Sequence, residues 1–461
     1  MKKFDIAIIG AGPGGYTLAS ILAKNGKKVA LFEKKHFGGT CVNEGCISTK
    51  TLIKSAKVLD TLKMSEKYGI TSNNTSFNFG KIQQRRIYNK IKINNSIKNL
   101  LENSGVKIFF EEANVINSHT IETQSKKQIK FQKLVLATGS RSRELNLKGF
   151  ETAKINNVLL DSINALELKE IPGSLIIIGG GPVSLEFAYF YSTFGTKVTI
   201  LEARKFMNNF DQELQTSVRK YLENKNINVI ENVNIIEYKD NKLITEIDNK
   251  IKEFQSDRIL LAIGRVPNND SFKLLNLKMN QKGFVEVNKY MQTSESHIYA
   301  LGDLTGLMML SSVAYKTADI IANHILENDN FEKLDTKTIP WAVYLNPEFA
   351  GIGYSEEELK RKNIEYDSII IRSSQLPRAY ADGANLDLEF LKFLVDKKTG
   401  LILGSSMFID GASLIINQIS QAMKKDIKFN DLEKISLTHP TISEAIYYAS
   451  RNYYFSNKAR K

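Results

Sequence analysis

Cys41 and Cys46 are the only cysteines in a chain of 461 residues, and they lie five positions apart in GGTCVNEGCISTK, residues 38–50. A disulfide scaffold needs more cysteines, and a structural zinc site takes four ligands from Cys and His, so we assign no metal site. Reversible redox chemistry suits a lone, close pair. Apolar residues at helical spacing follow in TLIKSAKVL, which predicts a helix that begins at the cysteines. A helix N-terminus stabilises a thiolate and lowers a cysteine pKa from about 8.5 into a range of about 3.5–7.5. Lys50 lies one turn beyond Cys46 on the same face, where its charge favours the anion further. The alternative, two inert structural cysteines, leaves their placement together at a helix start unexplained.

A second group able to move protons stands near the end of the chain, in LTHPTISEAIYYA. His439 has a carboxylate, Glu444, five residues on, which can orient the imidazole and favour its charged form, as a general base requires. His36, His119, His297 and His324 have no comparable arrangement and are read as structural.

The elements that must position these groups form an internal duplication. The first copy runs from the strand FDIAIIG into Gly10, Gly12 and Gly15, through the helical stretch YTLASILAKNG, to a second strand that ends at Glu33. The other runs from SLIIIGG into Gly179 and Gly181, through LEFAYFYSTFG, to a strand that ends at Glu202. The distance from first glycine to acid is 23 positions in both. Each copy has a later strand running into a glycine turn: LVLATGS with Thr138 and Gly139, and LLAIGRVPN with Gly264. The glycines permit a tight turn, close approach to a pyrophosphate and close helix–strand packing, and the helix N-terminus offers unpaired N–H groups to phosphates. The acid suits ribose hydroxyls. In the second copy Ser184 replaces the third glycine, which predicts slightly looser packing and a retained site. Two dinucleotide folds imply two dinucleotides.

Bulk composition narrows the class. The formal charge is +13, but the basic residues are scattered and accompany no nucleic-acid motif, so a solvated lysine-rich surface is the reading. No segment reaches the apolar length of a membrane span, and MKKFDIAIIGAG lacks the features of a signal peptide. The expectation is a cytoplasmic protein with neither nucleic-acid nor membrane partners.

With GAGPGGY, the cysteine segment, ALGD, MMLSSVAYKTA and LTHPTISEA in view, the sequence resembles the pyridine nucleotide–disulfide oxidoreductases over essentially its whole length. That family includes dihydrolipoamide dehydrogenases, glutathione reductases and mercuric reductases, and the opening GAGPGGY is most similar to the first of these. The resemblance implies FAD on the first fold and NAD(H), or NADP(H), on the second. It implies a redox-active Cys41–Cys46 disulfide, with Cys46 at the flavin and Cys41 exchanging with substrate. Lys50 resembles the lysine beside the flavin N5, and Glu186 its ion-pair partner; without the family, Glu186 reads as an ordinary helix-surface carboxylate. Asp303 of ALGD resembles the acid that binds the ribityl chain, and Leu310 and Ser311 the helix start facing the flavin, with Ser312 where dihydrolipoamide dehydrogenases often have His and Thr317-Ala318 for the usual Glu-Gly. Ser48-Thr49 stands for the usual Pro-Ser after the isoleucine that follows the second cysteine. EEANV places Ala113 at the adenine side, and Gly39 and Thr40 complete the candidate cofactor contacts. His439 and Glu444 resemble the dyad that reaches the exchanging cysteine of a partner subunit.

The expected fold class is α/β, with two Rossmann-like dinucleotide-binding domains and a C-terminal α+β dimerisation domain. The FAD domain is expected over 1–150 and again over 271–338, the NAD domain over 151–270 and the interface domain over 339–461. The implied function is electron transfer between NAD(H) and a small-molecule or lipoyl-protein dithiol/disulfide, most like dihydrolipoamide dehydrogenase, in a homodimer and with a 2-oxoacid dehydrogenase complex as a possible partner. Two alternatives stay open. One is a related NAD(P)H-dependent reductase of another disulfide, a metal ion or an oxidant, since LPRA at 376–379 resembles reductases of the reactive-chlorine and metal-response type. The other is a flavoprotein subunit without turnover, against which the intact Cys41, Cys46, His439 and Glu444 argue.

Overall fold

A computed structural model describes residues 2–73, 75–328 and 332–458. In its first unit the apolar run that begins at residue 6 becomes a strand, Lys2–Ile9, and Ile6, Ala7 and Ile8 are at most 1% exposed because both faces of the sheet are covered. It lies parallel between Val29–Phe32 and Gln128–Leu136. Lys107–Phe109 extends the sheet beyond Val29–Phe32, and the antiparallel strands Thr120–Thr123 and Ala113–Asn117 extend it on the other side. The seventh strand, Ile298–Ala300, pairs in parallel with Gln128–Leu136, so the chain returns to this sheet after building a second one. Four helices matter to the site here: α1 (Pro13–Lys24), α2 (Gly39–Asn43), α3 (Cys46–Lys63) and α4 (Phe79–Asn103). Pro13 at the first turn of α1 suits a position whose N–H has no helical partner.

The second unit repeats the plan. Five parallel strands lie in the order Asn228–Ile230, Lys197–Leu201, Ser174–Ile178, Arg258–Leu261, Leu159–Leu160. Helix α5 (Pro182–Thr193) follows its glycine turn and is buried almost all round, with Tyr189 and Tyr191 inside. A three-stranded antiparallel meander spans residues 234–254. The short antiparallel pair Ser140–Ser142 and Arg265–Pro267 ties the two units together. Helix α6 (Ser311–Ile325) then packs on α1.

The third unit is an antiparallel sheet in the order Trp341–Val343, Phe349–Gly353, Ile402–Phe408, Phe390–Asp396, Tyr366–Arg372, backed by Ala412–Lys424 and Glu444–Lys458. One core joins Leu52 and Ile53 of α3 to Phe190 and Tyr191 of α5 and to Val343 and Phe349 of this sheet. A buried Lys392, 2% exposed, ties the sheet to the second unit through Asp211 at 3.0 Å and Glu213 at 2.8 Å. The fold is thus of the expected class: two Rossmann-like units and an α+β unit. No helix among the described residues is long and apolar enough to cross a membrane.

Candidate active site

The cysteine segment departs from the single helix expected of it. Cys46 is the first residue of α3, but Cys41 belongs to the separate short helix α2, which ends at Asn43. Side-chain bonds fix the break. Ser48 Oγ donates to the carbonyls of Val42 (3.2 Å) and Asn43 (2.9 Å), and Asn43 Nδ2 donates to those of Phe37 (2.9 Å) and Gly39 (2.8 Å). The hydroxyl at position 48 therefore folds α2 back on the first turn of α3. Gly39 allows this loop to reach the first glycine motif, since a Cβ there would stand 2.8 Å from Gly12 Cα.

Both cysteines are free thiols, Cys41 half-buried and Cys46 exposed. They interact unequally. A hydrogen bond from Cys41, and after it Lys50 and Ser311, bring Cys46 down to about 6 against the opposing effect of desolvation. The same bond to Cys46, with burial, pushes Cys41 far above the usual thiol range. Cys46 is the anionic member and Cys41 the proton donor.

Lys50 Nζ lies 2.8 Å from both carboxylate oxygens of Glu186 on α5 and 4.5 Å from the centroid of the Tyr344 ring. Tyr344 N–H donates to Glu186 Oε1 at 3.2 Å. Glu186 is buried, not a surface carboxylate, and its ion pair runs from the cysteine helix to the helix of the second glycine motif. From α6, capped by Leu310, Ser311 Oγ stands 3.7 Å from Cys46 Sγ. One turn on, the Tyr315 hydroxyl bonds that of Tyr16 on α1 at 2.8 Å. Thr317 Oγ1 accepts from Gly302 N–H at 3.3 Å and so pins the turn carrying Asp303, whose carboxylate accepts from Ser140 Oγ at 2.5 Å.

At the first motif, Gly10 has φ +105°, and a Cβ there would lie 2.3 Å from the Ala137 carbonyl oxygen. Glu33 accepts from Ala11 N–H at 2.8 Å and from Lys35 N–H at 2.7 Å. Gly10, Glu33, Ala113 and Thr138 line a cavity of about 280 Å³, together with Arg141 and Asn268. Thr138 and Asn268 close it with two reciprocal bonds, 2.7 Å and 2.9 Å. At the second motif Glu202 accepts from Gly180 N–H at 2.6 Å and Arg204 N–H at 3.0 Å. Side chains placed at Gly12, Gly139, Gly181 or Gly264 would meet nothing within 4 Å. Both motifs thus offer open backbone in front of a helix start, with a carboxylate at the far strand, and fit a dinucleotide.

His439 Nδ1 bonds Glu444 Oε1 at 2.9 Å, and Thr441 N–H donates to Glu444 Oε2 at 2.7 Å. Burial pushes the Glu444 carboxyl up, but the Thr441 N–H and His439 outweigh it and hold the group below the usual carboxylate range. The imidazole is 62% exposed.

The structure therefore brings Cys41, Cys46, Lys50, Glu186 and Ser311 together, gathers Gly10, Glu33, Ala113 and Thr138 around one cavity, and sets Gly179, Gly181, Glu202 and Gly264 in the second motif. Among the described residues, no hydrogen bond or ion pair links His439 or Glu444 to the cysteines. Sequence reasoning missed Tyr344, the Tyr16–Tyr315 pair and the hydroxyl roles of Ser48 and Ser311. The departures at Ser48-Thr49 and Ser312 are visible in the sequence; nothing there marks Tyr344.

Residues 4–318 match a family model described as pyridine nucleotide-disulphide oxidoreductase, and residues 339–450 match that family's dimerisation domain, which supports a homodimer. A dihydrolipoyl dehydrogenase of Mycoplasma pneumoniae is 35% identical over 96% of this chain and 97% of its own. One of Geobacillus stearothermophilus is 33% identical over 95% and 94%. Among solved structures, the HOCl-induced flavoprotein disulfide reductase RclA of Escherichia coli is similar with a TM-score of 0.86 at 27% identity, covering 97% of this chain and 99% of that one.

Proposed function

The chain belongs to the pyridine nucleotide-disulphide oxidoreductase family, and on that premise we propose that it oxidises a dihydrolipoyl dithiol with NAD⁺. It is an enzyme of a family that uses FAD and a nicotinamide nucleotide. The observation that carries the reading is the Lys50–Glu186 pair: it joins the helix that starts at Cys46 to the helix of the second glycine motif, so thiol and nucleotide sites share one ion pair.

In this reading FAD, when bound on the first motif, relays electrons between the thiol pair and the nicotinamide. Glu33 orients the ribose of one dinucleotide and Glu202 that of the other. Gly39, Thr40, Ala113, Thr138, Gly139, Asp303, Leu310 and Ser311 complete the flavin side, and Gly179, Gly181 and Gly264 the nicotinamide side. A substrate thiolate attacks Cys41 of the Cys41–Cys46 disulfide; a sulfur–sulfur bond to Cys41 forms, the one to Cys46 breaks, and the electron pair leaves on Cys46. Lys50 balances that charge and Glu186 fixes Lys50. His439 of the partner subunit takes the substrate thiol proton, its imidazole held by a carboxylate in the position of Glu444. The division of the chain at 150, 270 and 338 into flavin, nicotinamide, returning and interface segments belongs to the same proposal.

Turnover of dihydrolipoamide with NAD⁺ and NADP⁺, set against NAD(P)H-driven reduction of other disulfides, copper(II) and hypochlorous acid, tests it. Faster reduction of a metal ion or oxidant would favour the second reading, for which LPRA at 376–379 and the likeness to RclA, solved also as a copper(II) complex, speak. The shared site has its own test. Cys41→Ser and His439→Gln should each be nearly inactive, and random mixing should restore about a quarter of wild-type activity, because half the dimers then hold one intact site. Verified mixed dimers without activity would place both residues in one chain's site.

A further inference from the structure

We propose that the Ser311 hydroxyl donates a hydrogen bond to the Cys46 thiolate and so sets how readily Cys46 leaves from, and re-forms, the disulfide. The inference rests on the assignment of Cys46 as the leaving sulfur made above. Its own ground is geometric: Ser311 Oγ lies 3.7 Å from Cys46 Sγ, within reach for a bond to sulfur, although 265 positions separate the two in sequence.

The hydroxyl is held to this task by its place in the helix. Ser311 is the first residue of α6, with Leu310 as the cap in extended conformation, which places its hydroxyl at the start of the helix. Two helix starts, those of α3 and α6, meet at one sulfur atom. The positive end of each dipole favours an anion there.

The charged and titratable groups around Cys46 divide clearly. Cys41, from α2, donates to it; Lys50, from its own helix, attracts its charge and is itself neutralised by Glu186 of α5. The phenols of Tyr315 on α6 and of Tyr344, which precedes Phe349–Gly353, are pushed up first by burial and only slightly by the negative charge of Cys46, and stay protonated. Among the described residues Ser311 is thus the one neutral hydroxyl in hydrogen-bond contact with the sulfur, and it keeps its proton throughout the accessible pH range. When the Cys41–Cys46 bond breaks, the electron pair arrives on Cys46 Sγ, and a donor already in place lowers the energy of that leaving thiolate. In the reverse step the same bond slows attack by Cys46 on the mixed disulfide. Ser311 therefore shifts the poise of the dithiol without taking or giving a proton.

Because the chain has only two cysteines, Cys41→Ser leaves Cys46 as its sole thiol. In that holoenzyme the ultraviolet absorbance of the thiolate, titrated with pH, reports Cys46 alone. Adding Ser311→Ala should raise the midpoint by about one pH unit, a tenfold change in acidity, while Ser311→Thr, which keeps the hydroxyl, should leave it within a few tenths of a unit. Thermal unfolding should match among the three, and each midpoint is read on flavin-saturated protein, separating this effect from loss of structure or of cofactor. An unchanged midpoint in Ser311→Ala overturns the inference and leaves the roles of the cysteines standing. The serine hydroxyl keeps a donor in the place of Cys41, so a midpoint already at the value of an ordinary thiol in Cys41→Ser itself overturns both.

Discussion

The two glycine motifs have the same spacing and the same acid, yet they differ in how tightly the surrounding chain closes on them. In the first, a Cβ on Gly15 would lie 2.0 Å from the Gly10 carbonyl oxygen, and the loop at Gly39 presses on Gly12. In the second, Ser184 stands where the third glycine would be and is fully buried, its hydroxyl without a partner among the described residues. The packing is not looser there; the backbone leaves room for a side chain and a polar atom is shut in. After Glu33, Lys34 and Lys35 are drawn into ion pairs with Glu112 and Glu44. After Glu202, Arg204 and Lys205 are exposed. The first motif is built as part of the core that also carries the cysteines, which suits a cofactor that stays. The second keeps an exposed Arg204 and Lys205 beside its acid, which suits a nucleotide that comes and goes.

The largest effect expected from this contrast is at Gly15. Gly15→Ala drives a methyl into backbone that has nowhere to move, so it should cost about 3 kcal/mol and leave the purified protein with little flavin, measured by visible absorbance and thermal unfolding. Normal flavin content in that variant would erase the difference between the motifs. A smaller effect is expected at Glu202. Its carboxylate repels a 2′-phosphate that the exposed Arg204 and Lys205 would attract, so NADH should be preferred, and Glu202→Ala should shift the ratio of kcat/KM toward NADPH by about tenfold. Equal use of the two nucleotides by the unaltered enzyme would mean that the basic pair already outweighs the acid. The smallest effect is at Ser184. Removing an enclosed, unpaired hydroxyl by Ser184→Ala should stabilise the protein by about 1 kcal/mol, read from denaturant unfolding; a loss of stability would show that the hydroxyl has a partner.

What the sequence made legible follows the same division. Strands, glycine turns and acids repeat at fixed spacing, so both nucleotide folds could be read from local pattern alone, and the lone cysteines named the redox site. The Lys50–Glu186 pair needed the family resemblance, because 136 positions separate its members and a helix carboxylate by itself points nowhere. Tyr344 and the Ser311 hydroxyl reach the site only through tertiary packing, from segments whose composition is ordinary. The break between α2 and α3 was missed because apolar periodicity begins after Cys46 and says nothing of the side-chain bonds that Ser48 and Asn43 make before it.

The central claim is that electrons pass between a nicotinamide nucleotide and Cys41–Cys46. The most direct measurement is a count of free thiols in the oxidised holoenzyme, kept without oxygen, before and after one equivalent of NADH. No reactive thiol is expected before and two per chain after, with neither Cys41→Ser nor Cys46→Ser gaining any. Consumption of NADH with no thiol released in the unaltered enzyme would contradict it.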